Sequence, residues 1–329
     1  MTTTETTKET TDGTTDGTAA FADFFDGDLA PLVRRMTDRP RAEDGDDDDG
    51  RETRAMVWEG LVGLGALETS GTVRLAEILG SVLYQGPLLD TLTARELFGD
   101  GDIGRAPVAL AVADEPLPDR DGAITARRAF VGHAAEVDHF VVGGLGDSGP
   151  RLALVRADHP SITTRRHEET SRGEAYQVEF EGTPAVAWAD SSTGWEAALA
   201  GARVRQAAYL VGLAQAALDH AVEYARTRRQ FGQPIGKFQA LAFRLSELSM
   251  HIDATRLLVH DRDAAAHAAA NLAAASDLAR TVTTRTMQVH GAAGMCADND
   301  AQLYYRWAAA ESVRLGTPFR LRRESLEAR

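Results

Sequence analysis

Only one cysteine, Cys296, occurs in 329 residues. A single thiol excludes a disulfide framework and any multi-thiolate metal site within one chain. Long hydrophobic runs are also missing. No stretch approaches the roughly 18 consecutive apolar residues that a membrane span needs. Positive charge is short, with 35 Lys and Arg against 49 Asp and Glu and a net charge of −14. Such a balance lacks the clustered cations that nucleic acid or an anionic membrane surface requires. The first residues carry Thr and Glu where a secretory signal needs a basic start and an apolar core. These absences predict a soluble cytoplasmic protein with neither a nucleic-acid nor a membrane partner.

What is present divides the chain into four parts. Residues 1–51 are rich in Thr, Asp and Gly and include the run Glu43-Asp44-Gly45-Asp46-Asp47-Asp48-Asp49. They offer too little apolar surface to offset the entropy of ordering and are expected to be a mostly disordered acidic leader. Phe21-Ala22-Asp23-Phe24-Phe25 is the exception, a candidate short docking helix. Over 52–104, Val57, Trp58, Leu61 and Leu64, then Leu75, Ile78, Leu79 and Leu83, follow helical spacing around the Gly71 break. Over 105–190 the signal turns to short runs such as Val108–Val112, Phe140-Val141-Val142 and Leu152–Val155, which suit a small antiparallel barrel or sandwich. From 191 to 329 long helical periodicity predicts an antiparallel bundle, with helices near 195–227, 237–267, 272–289 and from about 299.

The most informative string runs Tyr224-Ala225-Arg226-Thr227-Arg228-Arg229-Gln230-Phe231-Gly232-Gln233-Pro234-Ile235-Gly236-Lys237-Phe238-Gln239. Physically it is the basic end of a helix, a Gly/Pro turn and a new helix, and its arginines could simply offset a helix dipole. The whole string, however, resembles the signature of the acyl-CoA dehydrogenase C-terminal domain. Gln288-Val289-His290-Gly291-Ala292-Ala293-Gly294 resembles that family's Gln-x-x-Gly-Gly-x-Gly element, with Ala292 replacing the second glycine. Gly316-Thr317 matches its last flavin-contacting loop, and Asp114-Glu115-Pro116 stands where the family has Thr-Glu-Pro. The resemblance covers roughly residues 55 to 329. It implies an α+β fold: shortened N-terminal helices, a small central β-barrel domain and a C-terminal helical bundle.

It also implies a cofactor, FAD, shared between subunits. Arg228 and Phe231 would contact the FAD of a neighbouring subunit, Arg228 as a charged fork for the pyrophosphate. Gln239, Gln288 and Gly291 would hold the adenosine end, and Thr317 would hydrogen-bond the cofactor. Arg203 matches an arginine used near the acyl-CoA phosphates. Partners would be an acyl thioester on CoA or a carrier protein, an electron-transfer acceptor, and further subunits in a homodimer, homotetramer or heteromer.

The family's reaction needs a carboxylate to take the α proton of the thioester. The family places it immediately before the Gly-Thr, here Leu315, or just before the arginine of the first bundle helix, here Ala202. Three readings compete. Glu311, four residues before Leu315, is the candidate substitute base, ahead of His290 and Asp114. Alternatively the chain is a base-free, FAD-binding subunit working with a base-carrying homologue. Thirdly, the scaffold serves a non-redox cyclase or isomerase, with the Leu315 N–H polarising a carbonyl. Tyr209 and Arg205 hint at a polar or bulky substrate.

Overall fold

The computed structural model describes residues 48–115, 117, 119–120, 122–146, 149–167, 175–189, 192–296 and 299–327. The Phe21–Phe25 island and nearly all of the acidic leader lie outside these. Helix α1 (Asp48–Gly63) leads to α2 (Thr72–Ser81), α3 (Leu88–Phe98) and the single turn α4 (Asp100–Ile103). Gly99, at φ 81°, ends α3 in a conformation that only glycine adopts without strain.

Eight short strands follow: β1 (Val108–Val112), β2 (Asp119–Arg120), β3 (Ala123–Gly132), β4 (His139–Gly146), β5 (Gly149–Arg156), β6 (Ile162–Arg166), β7 (Ala175–Pro184) and β8 (Ala187–Ala189). They make two four-stranded sheets, ordered β1-β4-β5-β8 and β2-β3-β7-β6. Phe140, Val142, Ala153 and Val155 face the second sheet across an inner core that includes Val178 and Phe180. Their alternate neighbours Val141, Leu152 and Leu154 pack against Ala94 and Ile103 on the helical side. With both faces covered, these strands read as unbroken apolar runs. One pairing departs from the expected antiparallel order: β1 runs parallel to β4, with Val108 opposite His139. The crossover between them passes through the other sheet, so no hairpin signal marks it.

The remaining chain is helical. The long α5 (Ser192–Thr227) runs into a short hairpin, β9 (Arg229–Gln230) and β10 (Gln233–Pro234), followed by α6 (Gln239–Val259), α7 (Ala268–His290), α8 (Ala301–Glu311) and α9 (Pro318–Glu327). Residues of α1, α2, α3 and α5 to α9 share one apolar core. The crossing of α2 and α5 is set by two glycines. A Cβ added at Gly80 would stand 1.9 Å from the Tyr209 carbonyl oxygen, and one at Gly212 would stand 1.9 Å from that of Glu77. Backbones this close leave no room for a methyl group.

The helix expected over 237–267 is broken at its C-terminal end. Val259 ends α6, and a turn over 260–263 precedes a short 3-10 segment, Ala264–His267. Neither Gly nor Pro marks the break. Asp261 accepts the Asp263 N–H at 2.8 Å, and the buried Asn271 amide donates to the Leu258 and Ala264 carbonyls at 3.2 and 3.3 Å. Among the described residues no helix is long and apolar enough to cross a membrane.

Candidate functional site

Three surfaces carry the residues singled out by sequence. The first is the hairpin after α5. Arg228 N donates to the Tyr224 carbonyl at 2.8 Å and Ile235 N donates back to the Arg228 carbonyl at 2.8 Å, which turns the chain sharply. Between β9 and β10, Phe231 and Gly232 have φ values of 51° and 82°. Positive φ at both central residues is the requirement of a type I′ hairpin. Gly232 meets it without strain; Phe231 does not. Phe231 is nonetheless 92% exposed, its ring standing edge-on to Phe238 at 6.1 Å. Arg228 and Gln239 are exposed beside it. The fold therefore holds an aromatic ring outward in an unfavourable backbone conformation.

The second surface is the end of α7. Gln288 is exposed, and Gly291 ends the helix at φ 62°. Gly294 is buried where an added Cβ would lie 2.7 Å from the Met287 carbonyl oxygen. Ala292, the departure from the family pattern, is exposed, so its methyl group is accommodated at the surface. His290 is enclosed between His220 and Tyr224, with ring centroids at 4.6 and 4.3 Å. Burial, reinforced by His220, lowers its pKa to about 4. Its Nε2 is buried without a hydrogen-bond partner. The ring is packed as a neutral imidazole, with the Asn299 amide 3.5 Å from its Nδ1.

The third surface is the α8–α9 connection with the N-terminal half of α5. Leu315 is partly buried against the main core, and Ala202 is buried on α5. Thr317 caps α9, its Oγ1 accepting the Arg320 N–H at 3.3 Å. Glu311 ends α8 with its carboxylate only 12% exposed. Gln206 donates to its Oε2 at 2.7 Å and to its backbone carbonyl at 3.0 Å. Arg314 stands 3.6 Å from the same Oε2 and pairs with Asp90 at 2.8 Å. Sequence reasoning missed Asp90, Gln206 and Arg314; only the position of Arg314, next to Leu315, could have drawn attention to it.

Two expectations change. Arg205 is not turned to a substrate: it is clamped by Glu96 at 2.6 and 2.9 Å and by Thr93 at 2.9 Å. Tyr209 accepts the Trp307 indole N–H at 2.6 Å and donates to the Tyr84 carbonyl at 2.9 Å. Burial, with Glu311 nearby, pushes its phenol well up, so it stays protonated in this role. Both satisfy internal partners because α5 is buried on these faces.

Arg203 is mostly buried and pairs with Glu324 at 2.7 Å. Glu324 also holds Arg320 at 2.8 Å, and Arg320 pairs with Asp114. This relay joins the end of β1 to α9 and α5. It brings together the Asp114 and Arg203 positions that the sequence analysis had treated separately. Among the described residues no cluster of His, Cys, Asp and Glu is arranged to hold a metal ion.

Known proteins can now be set beside this geometry. A β sandwich between an N-terminal helical layer and a long-helix bundle is the fold of the acyl-CoA dehydrogenases. Butyryl-CoA dehydrogenase from Megasphaera elsdenii superposes with a TM-score of 0.76 at 22% identity, over 98% of this chain and 99% of that one. The ChsE4–ChsE5 complex from Mycobacterium tuberculosis gives 0.77 at 21% identity, over 98% of this chain and 97% of that one. Residues 193–323 match the acyl-CoA dehydrogenase C-terminal domain. In that region a Bacillus subtilis (strain 168) protein described as a probable acyl-CoA dehydrogenase, YngJ, is 37% identical over 127 residues, 36% of this chain and 33% of YngJ. The short-chain-specific acyl-CoA dehydrogenase of M. elsdenii is 36% identical over the same length, again 36% of this chain and 33% of the relative. The matched stretch thus spans about a third of the length of each of these relatives. Residues 193–323 are therefore an acyl-CoA dehydrogenase C-terminal domain, and the chain as a whole has the acyl-CoA dehydrogenase fold.

Proposed function

We propose that the chain is an FAD-binding subunit that takes part in α,β-dehydrogenation of an acyl thioester beside a homologous subunit carrying the catalytic carboxylate. One observation carries this reading: an outward-facing cofactor surface coexists with apolar side chains at both base positions. Phe231 is presented at a backbone cost, Gly291 turns α7 where a side chain would be strained, and Gln288 stays exposed. The Arg228 guanidinium makes no hydrogen bond or ion pair among the described residues, which leaves it for a phosphate. These features suit FAD.

Arg228 would hold the pyrophosphate, Phe231 would pack on the cofactor, Gln239, Gln288 and Gly291 would take the adenosine end, and Thr317 would add a hydrogen bond. FAD, when bound, supplies the hydride acceptor, and a separate electron-transfer acceptor would regenerate it. Arg203 remains the proposed contact for the acyl-CoA phosphates, with Glu324 holding its guanidinium until then. Among the described residues the two base positions supply no carboxylate: Leu315 and Ala202 cannot take a proton, and Glu311 is engaged by Gln206 and Arg314. Loss of a positioned general base costs on the order of a hundredfold or more, so the proton acceptor belongs to another chain. An exposed stripe on α6, Phe243, Met250 and Leu257 at seven-residue spacing, offers apolar surface for association. The ChsE4–ChsE5 neighbour, a complex of two chains, supports an assembly of unlike subunits.

The test is anaerobic flavin spectroscopy. The purified chain should retain FAD, show no bleaching with acyl-CoA alone, and bleach once a homologue with Glu at the Leu315 position is added. A colourless protein, or full bleaching by the chain alone, overturns the proposal. Glu311→Gln should leave turnover of the mixed assembly unchanged; a drop of a hundredfold would make Glu311 the base.

A further inference from the structure

Polar side chains bridge α5 and the α8–α9 connection close in sequence to both base positions. Ala202 and Gln206 lie four residues apart on α5 and therefore share a face. Opposite them, Glu311 and Arg314 lead into Leu315. The Gln206 amide spans the gap to Glu311, at 2.7 Å to the carboxylate and 3.0 Å to the backbone. Arg314 joins Glu311 to Asp90, at 3.6 and 2.8 Å, and Asp90 also accepts the Leu110 N–H at 3.2 Å. Four side chains thereby tie α3, α5, the first strand of the sandwich and the α8–α9 connection into one unit.

A guanidinium between two poorly exposed carboxylates is stable only while every member is paired, because a lone buried charge is far costlier than the pair is favourable. An alkyl chain entering between these elements would separate those charges and offer them no hydrogen bond in return. The bridge is therefore a barrier, unlike an apolar lining that yields by rotamer changes.

We infer that Asp90, Arg314, Glu311 and Gln206 form a plug that bars an acyl chain from entering between α5 and the α8–α9 connection, with Arg314 as its specificity-determining residue. This rests on the proposed reading that Ala202 and Leu315 mark the base positions. It adds that the acyl chain is not seated between Ala202 and Leu315 of this chain, even while Arg203 contacts the CoA phosphates.

The test is an affinity series on the FAD-loaded chain by calorimetry, with CoA, acetyl-CoA, butyryl-CoA and hexanoyl-CoA. A chain buried in an open crevice would tighten binding about fourfold per methylene. The expected result is affinities within twofold of one another across the series, CoA included; a fourfold rise per methylene overturns the plug. A second measurement uses Asp90→Asn, Glu311→Gln and Arg314→Met together, which removes the charges without orphaning one. If this variant keeps native circular dichroism and its FAD, it should acquire the chain-length dependence; a flat series in that folded variant also overturns the inference. Should it not fold, the wild-type series decides alone. Failure to retain FAD in the wild type would instead strike the functional proposal, so the two failures remain distinct.

Discussion

Phe231 concentrates two opposing demands in one residue. A left-handed conformation costs a non-glycine residue on the order of 1–3 kcal/mol, and the exposed ring recovers little of that in the isolated chain. Asn tolerates the conformation and cannot replace the ring. Phe231→Asn should therefore leave the melting temperature unchanged or slightly raised while lowering retained FAD severalfold, read from the flavin-to-protein absorbance ratio. Equal loss of stability and flavin would make the residue merely structural.

The turns that carry these residues were legible because they are local. Arg228, Phe231, Gln288, Gly291 and Gly316 lie in short strings whose turns depend on nearest neighbours. Asp90 and Arg314 were not legible, since they are 224 residues apart and meet only after three elements have packed. Glu311 could be picked as a carboxylate near Leu315, but its engagement by Gln206 could not. The same limit explains Arg205 and Tyr209, whose polar ends find partners on α3, α8 and the chain after α2.

At the scale of elements, the α2–α5 crossing is fixed by backbone contact. Gly212→Ala would drive a methyl into the Glu77 carbonyl oxygen. Overpacking of this sort costs about 1–3 kcal/mol or more, so chemical denaturation should show a clear loss of stability. Gly63→Ala, with nothing within 4 Å of the added carbon, should be neutral or stabilising by contrast. Equal effects of the two would mean that the crossing is not the constraint. Periodicity found most helices because apolar faces recur every three to four residues. It could not find the turn after Val259, which depends on Asn271 and Asp261, nor the parallel β1–β4 pairing, which depends on a crossover through the other sheet.

At the scale of the whole molecule, buried groups with lowered pKa values, Glu77, His133 and His290 among the described residues, oppose acid. Burial would raise the pKa of Glu77, yet hydrogen bonds from His260 and Arg256 outweigh it and hold it at about 2. The unfolded chain takes up that proton first, so this stability is present above about pH 4.5 and is lost as the pH falls towards 2. His290 titrates at about 4 instead of about 6.5, so protonation favours the unfolded chain and stability falls from pH 6.5 towards 4. Melting temperature should decline in both windows, and His290→Gln should make the upper one shallower, with His133, held at about 3 by burial and by Arg314 and Arg54, carrying the rest. An unchanged upper decline would assign it to other groups.

The central claim joins a proposed cofactor surface to a missing base, and anaerobic titration of the purified protein with butyryl-CoA tests both at once. The expected result is a yellow protein whose flavin stays oxidised until a Glu-carrying homologue is added, and then bleaches. Stoichiometric bleaching by this chain alone would contradict it.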